Sequence, residues 1–503
     1  MSFLKTVSGS PEQEAFWYEL QTGESHIMLE ARAGTGKTFS CIEGCQRYLA
    51  ENHRAKIAMV AYNRSIAKEL QSKVPEEVTA CTMHSLGYAP IRHRWQPKVN
   101  KWKTKNILED LLGVSFLELG IPFQISMRKV VSLAKNILLD FSTENYSREF
   151  DSMVSHYNLQ LSGDEKRIKD LLPRVLEASM QCTSEIDFDD MIWLPIVLNM
   201  KLQKFDVLFV DEAQDLNKAR QHLAMRSLAK DGRLIAVGDP KQAIYGFTGA
   251  DAYSMRNLAN MLSNVIIYPL TVTRRCPKSH VKLAQEIVKD IKPMDDAPEG
   301  TIKNMSSNEA MDTMKGGDLV LCRMNAPLMK VAYSLIQKDT PVTIQGRDIG
   351  AELANLCRKV VKGNVNSSIM IFLTALDSYY LKEVERLDRK AATSQVSVTQ
   401  YEMLRDKVAC LQIISEGLDT VDHLVKRIKS LFSDGDELGQ RKRKVILSSV
   451  HRAKGLEAHT VYIVEPEKMP HPMAQLEWEI EQEYNIKYVA MTRSMDTLIF
   501  IKE

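Results

Sequence analysis

The chain has 503 residues, 44% of them hydrophobic, with 66 Lys+Arg against 64 Asp+Glu and a formal net charge of +2. That length buries several cores, so about three or four domains are expected, and the near-neutral balance makes any basic surface local. The eight cysteines (41, 45, 81, 182, 276, 322, 357 and 410) contain no CxxC pair, which argues against a zinc knuckle, an iron–sulfur cluster or a disulfide framework and for buried thiols in a reducing compartment.

Along the chain, the opening MSFLKTVSGSPEQEAFW has no apolar signal core, and apolar runs such as IMIFLTAL (369–376) are far too short to span a membrane. A cytoplasmic protein, nucleoid-associated or in a host cytoplasm, with no membrane partner, is expected. HIMLEA (26–31), KIAMVAY (56–62), FDVLFVDEAQD (205–215) and RLIAVGDPKQ (233–242) are short apolar runs followed by Gly- or Asp-rich turns. They predict buried parallel strands of an α/β sheet, each ending where a loop can carry chemistry. A second set follows in GDLVLCRMNA (317–326), TPVTIQG (340–346), KVILSSVHRAKG (444–455), TVYIVEP (460–466) and DTLIFI (496–501). Residues 89–180 and 349–443 are charge-rich and amphipathic at helical spacing. The predicted organisation is two nucleotide-fold domains, 1–88 with 181–270 and 271–348 with 444–503, each carrying a mostly helical insertion.

ARAGTGKTFS (31–40) carries the first chemistry. Ala33, Gly34, Thr35 and Gly36 are small enough for backbone N–H groups to turn toward an anion, and the helix that follows adds its positive end. This is a P-loop in the looser form with Ala31 at the first position; Lys37 would reach the β- and γ-phosphates of ATP and Thr38 would ligate Mg²⁺. Asp211 ends an apolar strand and would hold the metal through its water shell, while Glu212 would orient or deprotonate the attacking water.

With those segments in order, the chain resembles the UvrD/Rep-like superfamily 1A DNA helicases along almost its whole length. SPEQEAF resembles the Q motif, ARAGTGKT motif I, VAYNRSIAKEL (60–70) motif Ia, TMHSLG (82–87) motif Ib, and IDFDDMIWLP (186–195) the segment before motif II. VDEAQD is similar to motif II, VGDPKQAIYGFTGAD (237–251) to III, LTVTRRCP (270–277) to IV, LVLCRMNA (319–326) to IVa, SSVHRAKGLEA (448–458) to V and YVAMTRS (488–494) to VI. The resemblance implies RecA-like domains 1A and 2A, with short 1B (89–180) and 2B (349–443) insertions.

It also implies roles. Gln13 would read adenine, Gln242 would sense the γ-phosphate or its water, and Glu457 would touch the nucleotide. Arg275 and Arg493 would be the cations on the leaving phosphate, so that closure of the two cores on ATP and reopening after hydrolysis form the power stroke. Tyr62 and Phe247 would flank bases, Thr82 and His84 would lie near the phosphate backbone, and Tyr245 and His451 would contact DNA. IRHRWQPKVNKWKTKN (91–106) carries six Lys/Arg with Trp95 and Trp102 interleaved, and reads either as a DNA contact or as a solvated helix with two core tryptophans. Three positions depart from the family pattern: Phe39 and Thr248 stand where Arg is usual, and Arg274 where an aromatic stacks on adenine. Phe39 or Arg274 could still cover the base, since both a ring and a guanidinium plane stack.

The implied function is an ATP-dependent translocase on single-stranded DNA that separates strands at single/double-strand junctions, moving 3′ to 5′. A second reading makes it a motor or sensor subunit beside a protein partner such as a nuclease or a replication or repair factor, because the chain ends directly after motif VI and the second insertion is compact. A third, a binder with a relic ATP site, conflicts with the intact set of site residues.

Overall fold

The computed structural model describes residues 8–502 other than 62, 158, 160, 162, 247–252, 392–397, 434–442, 473 and 475. The chain divides into two compact units, Met1–Thr271 and Val272–Glu503. In the first, strands β1 (His26–Ala31), β2 (Ile57–Ala61), β3 (Thr79–Thr82), β4 (Phe205–Val210), β5 (Leu228–Gly238) and β6 (Val265–Leu270) form one sheet in the order β3-β2-β4-β5-β1-β6. Every pairing is parallel, so the loops after β1, β2, β4 and β5 leave from the same edge.

The sheet is apolar on both faces because its strands are apolar at both parities. Val207 and Phe209 of β4 pack with Leu29, Met59 and Val237 under the helices Pro11–Thr22 and Lys37–Glu51, while Leu208 and Val210 pack with Ala58, Val60 and Ala236 on the opposite face. That is the continuous hydrophobic run expected of a parallel strand covered on two sides.

The second unit repeats the scheme with β7 (Thr301–Met305), β8 (Leu319–Cys322), β9 (Val342–Gln345), β10 (Phe432–Ser433), β11 (Val445–Ser449), β12 (Ala458–Val464) and β13 (Ser494–Ile501), all parallel, in the order β7-β13-β12-β8-β11-β9-β10. Two parallel α/β sheets are therefore present, as the sequence predicts. The strands it did not flag lie at the sheet edges, where the burial signal fades: TACT in β3, VIIYPL with an internal Pro in β6, TIKNM in β7 and two residues in β10. All eight cysteines are free and six are buried. No described helix is long and apolar enough to cross a membrane.

The helical segments differ in how they are built. Helices Lys103–Leu112, Ile121–Asn136, Tyr146–His156 and Glu165–Gln181 form a core of their own around Phe123, Met127, Phe150 and Leu172. By contrast, Phe372, Leu411 and Leu424 of the helices in 347–431 belong to the same cluster as Val320, Ile344 and Leu447 of the second sheet. The first insertion is thus an added body and the second an extension of the sheet core.

The first insertion is fastened by Met191, Trp193 and Leu194, which pack into its core, and by a buried ionic cluster. Lys103 Nζ donates to Asp190 Oδ2 at 2.7 Å and to the Ser179 carbonyl at 2.8 Å, and Lys135 Nζ reaches Asp187 Oδ2 and Asp190 Oδ1, each at 2.8 Å. Lys103, Lys135 and Asp190 are all buried. Burial opposes the Lys135 charge, but Asp190 and Asp187 outweigh it and hold its pKa above the usual lysine value. Removing one member of such a cluster leaves an uncompensated charge in a dry site. Asp190→Ala is therefore expected to lower unfolding free energy by about 3–5 kcal/mol in urea titration, and replacing Lys103 and Asp190 together by Met and Leu should cost less than Asp190→Ala alone.

Candidate active site

The P-loop leaves β1 through two left-handed glycines, Gly34 (φ 74°) and Gly36 (φ 82°), into helix Lys37–Glu51. Gly36 is the N-cap and supplies no side-chain cap, so the first-turn N–H groups are left for an anion. Lys37 is half-buried at the first helical position, with Thr38 and Phe39 exposed beside it. Ala33 and Thr35 are buried, and the Thr35 hydroxyl donates to the Arg32 carbonyl at 2.9 Å, which shapes the loop from inside.

Gln13 sits on the back of this loop. Its Oε1 accepts from the Ser10 N–H at 2.9 Å, closing a capping box, and its Nε2 donates to Ser40 Oγ at 2.8 Å in a buried contact. Trp17 donates Nε1 to the Ser40 carbonyl at 2.8 Å, stands edge-on to Phe39 at 6.2 Å and lies under the Arg47 guanidinium at 4.0 Å. Phe39 is held as an exposed ring beside the phosphate loop.

At the end of β4, Asp211 donates its N–H to the Val60 carbonyl at 3.0 Å, and Glu212 adopts the left-handed conformation (φ 52°) with its N–H on Asp211 Oδ1 at 2.9 Å. Both carboxyls are half-buried. Burial raises the pKa of the buried Cys41 thiol nearby, the Asp211 carboxylate raises it further, and Lys37 pulls it down.

The joint between motifs II and III is a residue not selected from the sequence. Gln214 donates Nε2 to Glu212 Oε2 and accepts the Asp239 N–H on Oε1 at 3.1 Å. Asp239, fully buried, accepts from Arg32 Nη1 at 3.3 Å, Lys241 N at 3.1 Å and Gln242 Nε2 at 2.8 Å. A Cβ on Gly238 would lie 2.3 Å from Gln214 Oε1, so the glycine of VGDPKQ is what lets the two strand-end loops touch. Gln242, Glu212 and the P-loop entrance thus share one hydrogen-bonded network. Arg32, Gln214 and Asp239 lie inside the quoted motifs, but only their contacts reveal the link.

A cavity of about 20 Å³ lies beside the carboxylates, lined by residues that include Val60, His84, Asp211, Glu212, Asp215 and Arg220, space for roughly one water. His84 enters it from the start of helix Met83–Trp95, whose N-cap is Thr82, with Thr82 Oγ1 accepting the Ser85 N–H at 3.2 Å. Burial first, and then Arg220, push the His84 pKa down to about 4. Its ring stands edge-on to Phe188 at 6.3 Å, and Phe188 is 57% exposed. This aromatic of IDFDD was not singled out from the sequence, where nothing separates it from a core residue. Tyr62, Phe247 and Thr248 lie outside the described residues, and Tyr245 is half-buried.

Within the second unit, Arg275 Nε donates to Glu457 Oε2 at 2.6 Å and Nη1 to the Thr492 carbonyl at 3.4 Å. Arg493 is buried, donating Nε to the Val489 carbonyl at 3.0 Å, Nη1 to the Leu456 carbonyl at 3.4 Å and Nη2 to Thr492 Oγ1 at 3.2 Å. Motifs IV, V and VI therefore converge, and Glu457, expected on the nucleotide, is an ion-pair partner of Arg275. Arg274 is exposed next to them. His451 is half-buried, with its pKa pushed down to about 3 by burial and by Arg323, which itself holds Glu483 at 2.6 Å.

Residues 12–263 match the UvrD/REP helicase N-terminal domain and residues 444–501 the UvrD-like helicase C-terminal domain. The chain belongs to the UvrD/REP helicase family. It is similar to F-box DNA helicase protein 1 of Schizosaccharomyces pombe, 24% identical over 98% of this chain and 57% of that protein. It is also similar to the ATP-dependent DNA helicase PcrA of Bacillus subtilis, 26% identical over 56% of this chain and 39% of that protein. The chain thus spans about half the length of these helicases. Gabija protein GajB of Bacillus cereus is 22% identical over 95% of this chain and 93% of its own length.

In this UvrD/REP-family chain both motif histidines are neutral near pH 7. Their folded pKa values of about 4 and about 3 lie below the unfolded value of about 6.5, so the unfolded chain binds protons first as pH falls. Their contribution to stability is complete above about pH 6.5 and is lost as pH drops toward those folded values. His84→Gln is expected to flatten the decline of the urea midpoint between pH 7 and 4.5, and the His84 imidazole should show no titration above pH 5.5 by NMR.

Proposed function

We propose that the protein is an ATP-dependent translocase on single-stranded DNA that separates strands at single/double-strand junctions, moving 3′ to 5′. The observation that supports it most is the network from Glu212 through Gln214 and Asp239 to Gln242 and Arg32, which gathers the P-loop, a strand-end acid pair and a buried glutamine at one sheet edge. Such a site suits phosphoryl transfer, in which positioning and charge do most of the work.

Lys37 and the first-turn N–H groups hold the β- and γ-phosphates. Thr38 and Asp211 would hold Mg²⁺, which when bound would supply positive charge against the β- and γ-phosphates. Glu212, its carboxylate oriented by Gln214, takes a proton from the attacking water, and Gln242 senses that water or the γ-phosphate. Arg275 and Arg493 supply the cations for the transition state. Thr82, His84, Phe188, Tyr245, His451, Tyr62 and Phe247 form the DNA track, the neutral histidines acting as hydrogen-bond partners.

A second reading keeps the motor but places it in a larger assembly. It is favoured by the exposed apolar side chains Met370, Ile371 and Leu381 on helix Ile369–Ala391, at 76%, 62% and 61% exposure. Unwinding of forks by the isolated monomer would count against it.

The test is ATP turnover with single-stranded DNA, RNA and duplex, coupled to forks with a 3′ or a 5′ tail. Single-stranded DNA should stimulate wild type, with unwinding only from the 3′ tail. Lys37→Ala should abolish turnover, Glu212→Gln should lower it by about 10²–10⁴-fold, and Arg275→Ala by about 10³-fold or more. Absent stimulation, or a normal rate in Lys37→Ala, overturns the reading.

A further inference from the structure

The basic segment 91–106 has no Asp or Glu among its sixteen residues, and within it the structure separates the two tryptophans. Trp95 is partly buried and packs against the core of the first insertion, whereas Trp102 is 44% exposed. Two cations lie over the Trp102 ring: Lys101 Nζ at 5.3 Å and Arg128 Cζ at 4.9 Å from its centroid. Lys98 is exposed four residues earlier. A large indole left in solvent and ringed by positive charge is not packing for the fold.

Its mount is rigid. The pair Lys98–Val99 is hydrogen-bonded to Glu185–Ile186 as a short parallel ladder, Asn100 Nδ2 donates to Glu185 Oε2 at 2.7 Å, and the Trp102 N–H donates to Asn100 Oδ1 at 2.9 Å. The next residue, Lys103, is fastened in the core by Asp190. A side chain held from both flanks loses little further freedom when something stacks on it.

We propose that Trp102, with Lys101 and Arg128, is a stacking platform for an unpaired base of a DNA strand, a second contact point outside the motif-borne track. The inference rests on the DNA-motor reading above. A base stacked on an aromatic is a stronger contact than an exposed cation–π pair. A base therefore displaces the lysine or arginine from the ring, and the freed cation pairs with a backbone phosphate, releasing counterions. The indole takes any base, since each presents a π-face, and it cannot reach one that remains paired within a duplex.

The experiment measures binding of a dye-labelled oligo-dT and of a blunt duplex to the full chain by anisotropy, across a salt series, beside basal and DNA-stimulated ATP turnover. Trp102→Ala should weaken oligo-dT binding by about 5- to 150-fold, the range that one base stack carries, with basal turnover and thermal midpoint unchanged. Trp102→Phe should recover most of that loss, and duplex binding should change by less than twofold. Lys101→Ala with Arg128→Ala should reduce the slope of log K against log salt by roughly 1.4, two single-strand phosphate contacts.

Oligo-dT affinity in Trp102→Ala within twofold of wild type overturns the platform, as does an equal loss on duplex or a failure of Phe to rescue. A wild type whose turnover ignores single-stranded DNA overturns the motor reading instead, so the two failures are distinguishable.

Discussion

Asp239 is a fully buried carboxylate at the end of β5, and the first unit is organised around satisfying it. A buried charge without partners is strongly unfavourable. Arg32, the Lys241 N–H and the Gln242 amide serve the carboxylate, while the Asp239 N–H is taken by Gln214, which also holds Glu212. One electrostatic requirement thereby sets the spacing between the P-loop entrance, Glu212 and Gln242. The relation is directional: a shift of Glu212 must pull on Gln214, and through it on the turn that carries Gln242.

The two arginines of the second unit are held by contacts of different strength. Arg275, its side chain 19% exposed, pairs with Glu457, 47% exposed, and an ion pair this close to solvent is worth about 0–1 kcal/mol. Arg493 is buried and donates to the Val489 carbonyl of the preceding helix Glu477–Met491 and to the Leu456 carbonyl of the motif V turn. Arg275 is therefore the more loosely held of the two, and the position of Arg493 is part of the fold.

Much of this was legible in the sequence. Nine strands announced themselves as apolar runs because a parallel strand is buried on both faces, and the phosphate loop was readable because few residue types fit its backbone. Edge strands were not readable, since TACT and TIKNM bury too little to leave a pattern. The bonding within the motifs was not visible: Gln214 and Asp239 belong to VDEAQD and VGDPKQ, yet only a fold that brings β4 and β5 together, with a glycine at 238, turns them into a bridge. Phe188 and Trp102 show the same limit from the other side, because exposure of an aromatic is a property of its surroundings and not of its neighbours in the chain.

The ionic anchor of the first insertion reaches the same network by a separate route. Asp189, beside the buried Asp190, accepts from Asn136 Nδ2 at 3.4 Å, and Asn136 Oδ1 accepts from Asn217 Nδ2 at 2.8 Å. Asn217 in turn caps helix Lys218–Arg226 through the Arg220 N–H at 2.9 Å, and Arg220 lines the small cavity shared by His84, Asp211 and Glu212. The links measure 3.4, 2.8 and 2.9 Å and are partly buried, so the anchor of the insertion and the helix that carries Arg220 to the acid pair are tied by a continuous set of side-chain hydrogen bonds rather than by chain connectivity alone.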